Sequence, residues 1–395
     1  MSTSSGQISY TIFFAYTKPE NYSGQTAASE LLIDLFSKDS VKCVPLVLYP
    51  FEKRCNNYLS SFIKVFLKQL TIISNLKELL LTKKVILHLN LGQSFWSFLR
   101  IGAWYFPIRV FKRNLHTIIS LHGSLFMSWR EYSLVMALFK FILRTCNFVT
   151  VLGERQKERL SDIGIQPKKI KIVPNACSLS PISEAFIIQK HSDLHSVNLL
   201  YLSLLIRSKG YITYLNALEA LSKMKLTLRV NAVLCGPVTF QANSESFGSE
   251  EDKIAWIASR IKSINNHSPL LRVEWIPGAS GELKAELFKN AHIFVLPTKF
   301  PVEAQPIVLI EALASGCSII TSRAGEIPYT LINGSAVLLD DPNELNLTKE
   351  IHALISDSNR RVALCKEGLR LIEGPLSVDS HKITWRKIFS ELVSS

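Results

Sequence analysis

The 395-residue chain contains no apolar run that reaches the ~18 residues a membrane-spanning helix needs, which excludes a helical anchor within it. Its amino terminus, MSTSSGQISY, lacks a basic n-region and an apolar h-region, so no signal peptide is expected. Cysteine is scarce and unpatterned. Seven are present (Cys43, Cys55, Cys146, Cys177, Cys235, Cys317 and Cys365), odd in number and never in C-x-x-C spacing. That argues against a disulfide framework or a zinc site and for a reducing compartment. Low-complexity tracts and short repeats are absent. Hydrophobic residues make up 47% and charged residues 19%, which excludes a disordered chain. Acidic residues are also short, and the net charge is +13.

What is present is uneven. Residues 51–150 hold 14 Lys or Arg against 3 Asp or Glu, whereas residues 201–395 hold 21 against 20. The basic block is rich in aromatics, as in SFIKVFLKQL, SFWSFLRIGAWYFPIRVFKRN and LFMSWREYSLVMALFKFILRT. Basic residues interleaved with Phe, Trp and Leu suit a surface lying on anionic lipid headgroups. A solvated basic face and a nucleic-acid surface are the other readings of such a block. The membrane surface is the partner expected here, and nucleic acid is not.

Short apolar runs alternate with helix-length segments from end to end. The strands expected in the first half are 8–14, 44–49, 84–90, 117–122, 148–152 and 171–174, with helices over 25–37, 58–80, 132–145 and 153–164. The second half repeats the scheme with strands at 198–203, 229–235, 272–276, 292–296, 317–321 and 336–339. Continuous apolar strands between helices imply parallel sheets covered on both faces. The length suits two such domains of roughly 150–200 residues, so the expected class is α/β with two doubly wound domains. The polar stretch 178–196 is the expected linker, and 241–252 reads as a surface loop. Ligands of open parallel sheets bind at the carboxyl ends of the strands. His122, Lys209, Glu303 and Gly325 all follow expected strands there.

The stretch FPVEAQPIVLIEALASG (300–316) raises a sharper question. With Pro306 as the first helical residue, the helix is apolar on every face except at Glu311. A second carboxylate, Glu303, precedes the helix. A buried carboxylate needs a cation or hydrogen-bond donors, and this helix supplies neither. A helix amino terminus also presents outward-pointing N–H groups. Two carboxylates accepting hydrogen bonds from a polyhydroxyl ligand would account for the pattern. The plainer alternative is a salt bridge from Glu311 to a nearby Lys or Arg, with Glu303 merely solvated.

This E-x7-E within LPTKFPVEAQPIVLIEALASGCSIITSRAGEIP resembles the signature of family 4 glycosyltransferases, glycosyl transferases group 1, which are retaining enzymes with the GT-B fold. The likeness runs along the chain. SLHG (120–123) resembles the family's His-Gly turn, and VTVLGERQKERLSDIGIQPKKIKIVPNACS its run into the PN-G turn. NLLYLSLLIRSKGYITYLNALEAL resembles its KG segment, and ITWRKIFSEL (383–392) its closing helix. The resemblance implies two facing Rossmann-like domains around an interdomain cleft. Residues 1–185 would be the acceptor-binding domain, 186–375 the nucleotide-sugar-binding domain, and 376–395 a helix returning to the first.

By that likeness, Glu311 would hold the nucleotide ribose and Glu303 the hydroxyls of the donor sugar. The backbone of Ala304, Gln305, Pro306 and Ile307 would approach sugar and phosphate, and Lys209 would neutralise the departing diphosphate. His122 would hydrogen-bond the donor sugar. Gly24 would let the first helix approach a phosphate closely, although the family often has two glycines where this chain has Ser23-Gly24. His88 and Asn175 read as structural. The family usually has an Arg five positions before the Lys; here that position is Leu204, with Arg207 as a possible substitute. The donor implied is a nucleotide-diphosphate sugar; no D-x-D triplet or His cluster stands in the cleft segments, so its diphosphate is expected to be handled by Lys and helix ends, without a metal. The implied function is sugar transfer to a glycan acceptor, lipid-linked and at the inner membrane face, in surface-polysaccharide or lipopolysaccharide synthesis. A sugar-nucleotide epimerase or hydrolase, and a non-catalytic nucleotide-sugar-binding protein, are the alternatives.

Overall fold

Each of the twelve apolar runs becomes a strand, and the strands gather into two separate six-stranded parallel sheets. The computed structural model describes residues 10–17, 24–39, 41–48, 75–192, 195–239, 247–300 and 302–394. Most of the segment expected as a helix over 58–80, with SFIKVFLKQL, lies outside the described residues, as do Ser23 and the first half of the loop expected at 241–252. The chain divides into two compact units, Met1–Asn175 with Val378–Ser395, and Ala176–Ser377.

The sheet of the first unit comprises β1 (Thr11–Thr17), β2 (Lys42–Leu48), β3 (Val85–Asn90), β4 (His116–Ser120), β5 (Phe148–Val151) and β6 (Ile170–Ile172). Its order is β2-β1-β3-β4-β5-β6. β3 is buried at all of its positions, as a central strand covered on both faces should be. The crossovers are α1 (Gly24–Ser37), α2 (residues 75–81), α3 (Phe95–Phe111), α4 (Leu134–Thr145) and α5 (Glu154–Asp162). The last helix of the chain, α14 (Val378–Ser394), also belongs to this unit. Its Trp385, Ile388, Phe389 and Leu392 pack with Ile12 and Phe14 of β1.

α3 is unusual for a crossover helix, because its outward positions are apolar too. Trp96 is 77% exposed and Phe111 80%, and Leu99 and Val110 are also exposed. Its two basic side chains turn back onto the protein: Arg109 donates to the Leu115 carbonyl at 2.7 Å, and Arg100 to the Thr17 hydroxyl at 3.2 Å.

The second unit holds β7 (Ser196–Leu202), β8 (Arg229–Cys235), β9 (Leu271–Ile276), β10 (Ile293–Leu296), β11 (Ser318–Ser322) and β12 (Val337–Leu339). Their order is β12-β11-β10-β7-β8-β9. The helices are α6 (Glu184–His191), α7 (Tyr211–Ser222), α8 (Glu250–His267), α9 (Gly281–Asn290), α10 (Ile307–Ala314), α11 (Ile327–Thr330), α12 (Glu344–Ser356) and α13 (Ser358–Glu373). The chain runs β7, β8, β9 outward and then returns to the other side of β7 with β10. The order of the sheet therefore reverses between β7 and β10, which is where open α/β sheets take their ligands.

Two local expectations are corrected. The stretch 178–196 is not a free linker: Ile182 and Ile187 pack against Cys365 and Leu369 of α13, and His191 is fully buried. The second unit begins at Ala176 and so includes this helix. Polar composition disguised a short helix that buries Ile187 and His191 and leaves Phe186 and Ile188 exposed. In the 241–252 segment, Ser249 caps α8, and Glu250, Glu251 and Asp252 form its acidic first turn. Capping residues next to carboxylates serve a helix start as readily as a loop.

Candidate active site

The carboxyl edge between β7 and β10 gathers the charged residues of the second unit. After β7 the chain makes a single tight 3-10 turn, Arg207–Lys209, and enters α7 through Gly210. Gly210 has φ +83°, and a Cβ there would stand 2.2 Å from the Pro297 carbonyl oxygen. A glycine is required for this turn to lie against the end of β10. The Tyr201 hydroxyl donates to the Lys209 carbonyl at 3.2 Å, and Lys299 N–H donates to the Ser208 carbonyl at 2.7 Å, so the turn is held from both strands.

Lys209 is brought to Glu303. Its Nζ lies 2.8 Å from Oε1 and 2.5 Å from Oε2. The Thr298 hydroxyl stands between Glu303 Oε2 at 3.1 Å and the Ser208 carbonyl at 3.2 Å. The Phe300 ring lies 5.6 Å from the ammonium. Glu303 is thus buried and paired, not solvated. Its backbone is fixed as well: Glu326 N–H donates to the Glu303 carbonyl at 3.0 Å, and Gly325 packs directly against it.

Pro306 is the cap of α10, with extended backbone, and not its first helical residue; the helix begins at Ile307. The buried side chain of Gln305 donates to the Thr330 hydroxyl at 3.1 Å, which fixes the loop of Ala304 and Gln305 ahead of the helix. Glu311, 8% exposed, does form the salt bridge that the plainer reading offered: Lys284 Nζ of α9 lies 2.6 Å from Oε1. Oε2, however, is buried without a hydrogen-bond partner among the described residues. A buried carboxylate oxygen without a donor is costly, and a ligand hydroxyl is one way to supply it.

Arg207 shares the turn with Lys209 but is exposed, and Leu204 is 42% exposed where the resemblance calls for an Arg. Lys209 is therefore the cation that the geometry brings to Glu303. Thr298 and Lys284 went unread in the sequence. Nothing in a lysine 27 positions before Glu311 distinguishes it from its neighbours until α9 is folded.

In the first unit, His122 follows β4 and lines a small cavity of about 10 Å³ with His88, Asn175, His381 and Trp385. Burial pushes its pKa down to about 4, the neighbouring His381 pushes the same way, and a hydrogen bond with Asn175 draws it back. Its ring is therefore neutral at neutral pH, a hydrogen-bonding group and not a cation. Nδ1 has no partner among the described residues. His88, by contrast, is satisfied by the Ser120 hydroxyl at 2.6 Å and pushed down to about 3 by burial first, then by His122 and His381. Gly24 opens α1 and is exposed.

Residues 184–370 match the model of the family described as glycosyl transferases group 1. A curated relative, D-inositol 3-phosphate glycosyltransferase of Corynebacterium kroppenstedtii, is 25% identical over 172 residues. That match covers 43% of this chain and spans only 35% of the relative's length. Among solved structures, sucrose-phosphate synthase from Thermosynechococcus elongatus superposes with a TM-score of 0.67 at 14% identity, covering 98% of this chain and 99% of that one. Anabaena Alr3699/HepE in complex with UDP-glucose gives 0.65 at 13% identity, covering 96% and 99%. At such identities the structural likenesses establish the fold.

Proposed function

We propose, on the match of residues 184–370 to the glycosyl transferases group 1 model, that the chain is a retaining glycosyltransferase of that family, with the GT-B fold. It would move a sugar from a nucleotide-diphosphate donor to a lipid-linked glycan acceptor in surface-polysaccharide or lipopolysaccharide synthesis. The observation that carries the reading is the Lys209–Glu303 pair at the point where the second sheet reverses its strand order. A diphosphate there meets a partly buried ammonium on a rigid turn. As the sugar leaves, negative charge grows on the phosphate, and a fixed cation lowers that barrier. Glu303, released from Lys209, accepts hydrogen bonds from sugar hydroxyls, and Glu311 Oε2 accepts from the ribose. The neutral His122 ring would hydrogen-bond the donor sugar, and Gly24 would admit a phosphate to the start of α1. In the retaining reaction the departing phosphate takes the acceptor's proton, so no carboxylate nucleophile is asked for.

UDP-sugars are the first donors to try, because the Anabaena structure is a complex with UDP-glucose. Thermal shift and nucleotide release across UDP-, GDP-, ADP- and dTDP-sugars, with and without a membrane lipid extract, test the reading. One donor is expected to raise the melting temperature, and its nucleotide to be released faster with the extract. Stabilisation without any acceptor-dependent turnover would favour the epimerase or hydrolase alternative if the donor is consumed, and a binding protein if it is not.

The acceptor side draws on the apolar outer face of α3. Trp96, Leu99, Val110 and Phe111 are exposed there, as are Leu134 and Phe141 on α4, whose Phe141 ring lies 5.3 Å from Phe106 of α3. Lys112, Arg113, Lys140 and Arg144 flank these side chains in sequence. An exposed apolar face bordered by cations suits the headgroup region of an anionic bilayer. Binding to vesicles should rise with the fraction of phosphatidylglycerol and fall with salt. Equal binding to neutral vesicles at high salt would remove the electrostatic part of this reading.

A further inference from the structure

Lys284 stands in the first turn of α9, just beyond the carboxyl end of β9, and reaches across to the one charged residue of α10. The contact is one-sided. Lys284 Nζ takes Glu311 Oε1 at 2.6 Å, while Oε2 is left buried without a partner among the described residues. An ion pair evolved for stability alone would be expected to satisfy both oxygens, since an unmet buried acceptor cancels much of what the pair contributes. The arrangement instead fixes the carboxylate plane, with one oxygen held and the other left as an acceptor. A carboxylate that must receive hydroxyls at a set angle needs this kind of support from behind.

We propose that Lys284 is a positioning residue: it aims Glu311 Oε2 at the ribose hydroxyls of the donor nucleotide and so sets the preference for ribonucleotides over their deoxy analogues. The inference rests on the donor-site reading above and adds to it a residue and a selectivity. A site built to hydrogen-bond a hydroxyl rejects the analogue lacking it, because its buried polar atom is then left unpaired.

The test is calorimetric titration of the full-length protein with UDP, ADP and GDP, each beside its 2′-deoxy and 3′-deoxy forms. A hydrogen bond to a charged group corresponds to about ten- to hundredfold in affinity, so wild type should prefer one ribonucleotide over a deoxy form by that factor. In Lys284→Met the ratio should fall to within about threefold, mainly through weaker ribonucleotide binding; Lys284→Arg should recover most of it. Lys209→Ala, which acts on the diphosphate, should weaken ribo and deoxy forms alike and leave the ratio unchanged. A Lys284→Met protein that binds nucleotide with the wild-type ratio, whatever its melting temperature, overturns the proposal and makes the pair a structural ion pair. If wild type binds none of the diphosphates, the donor-site reading falls first and this inference with it.

Discussion

Lys209→Ala should lower turnover about 10²–10³-fold at saturating donor, the range seen when one preorganised charge-stabilising group is removed from a reaction centre. The effect should appear in kcat more than in KM. The ammonium gains most when the diphosphate takes up negative charge on leaving, and among the described residues no second cation is brought to Glu303 beside it. Leu204 stands at the position where the family resemblance calls for an Arg. The same substitution removes the partner of a buried carboxylate. Among the described residues Glu303 would keep only the Thr298 hydroxyl, so stability should fall by up to about 3 kcal/mol. A second variant separates the two effects. Lys209→Met combined with Glu303→Gln leaves no unpaired charge and should recover stability without recovering turnover. Wild-type kcat in Lys209→Ala, measured by nucleotide release on the donor found in the screen, would show that the leaving group is handled elsewhere.

The strands were legible because burial on both faces forces continuous apolar runs. β8 falls at 229–235 as expected, and the other eleven lie within a few residues of the positions read from the sequence. The lone charge of α10 was legible for the complementary reason, since a carboxylate among Ile, Val, Leu and Ala stands out. Its partner was not. Lys209 and Glu303 are 94 residues apart and Lys284 and Glu311 are 27, and no periodicity couples them. Lys209 and Glu303 meet because β7 and β10 are neighbours in the sheet although far apart in the chain. Arg207 and Lys209 look alike in sequence, yet one turn of 3-10 helix exposes the first and folds the second inward. The sequence posed ligand hydroxyls and a salt bridge as alternatives for Glu311. The structure gives Oε1 to Lys284 and leaves Oε2 without a partner among the described residues, so the choice between them was one that residue types alone could not make.

Gly325→Ala should lower kcat/KM about 10²-fold although no charged or polar side chain is altered. The residue has φ +54°, and a Cβ there would stand 1.8 Å from the Glu303 carbonyl oxygen and 2.6 Å from its carbonyl carbon. Both are backbone atoms, so no side-chain rotation relieves the overlap; the 303 loop or the 325 turn must move. Movement of the 303 loop breaks the hydrogen bond from Glu326 N–H to the Glu303 carbonyl and carries the carboxylate away from Lys209. A misplacement of about 1 Å at a reacting centre costs about a hundredfold in rate. Gly334 supplies the control. It has φ +76°, but a Cβ added there would meet nothing within 4 Å, so Gly334→Ala carries only the left-handed backbone cost of about 1 kcal/mol. The two variants should therefore lose similar conformational freedom yet differ in turnover by well over tenfold. Steady-state kinetics on both, with melting curves to match them for folding, decide the matter. If Gly325→Ala turns over like Gly334→Ala, the position of the Glu303 backbone does not limit the reaction, and the Lys209–Glu303 pair loses its claim to be where the donor is handled.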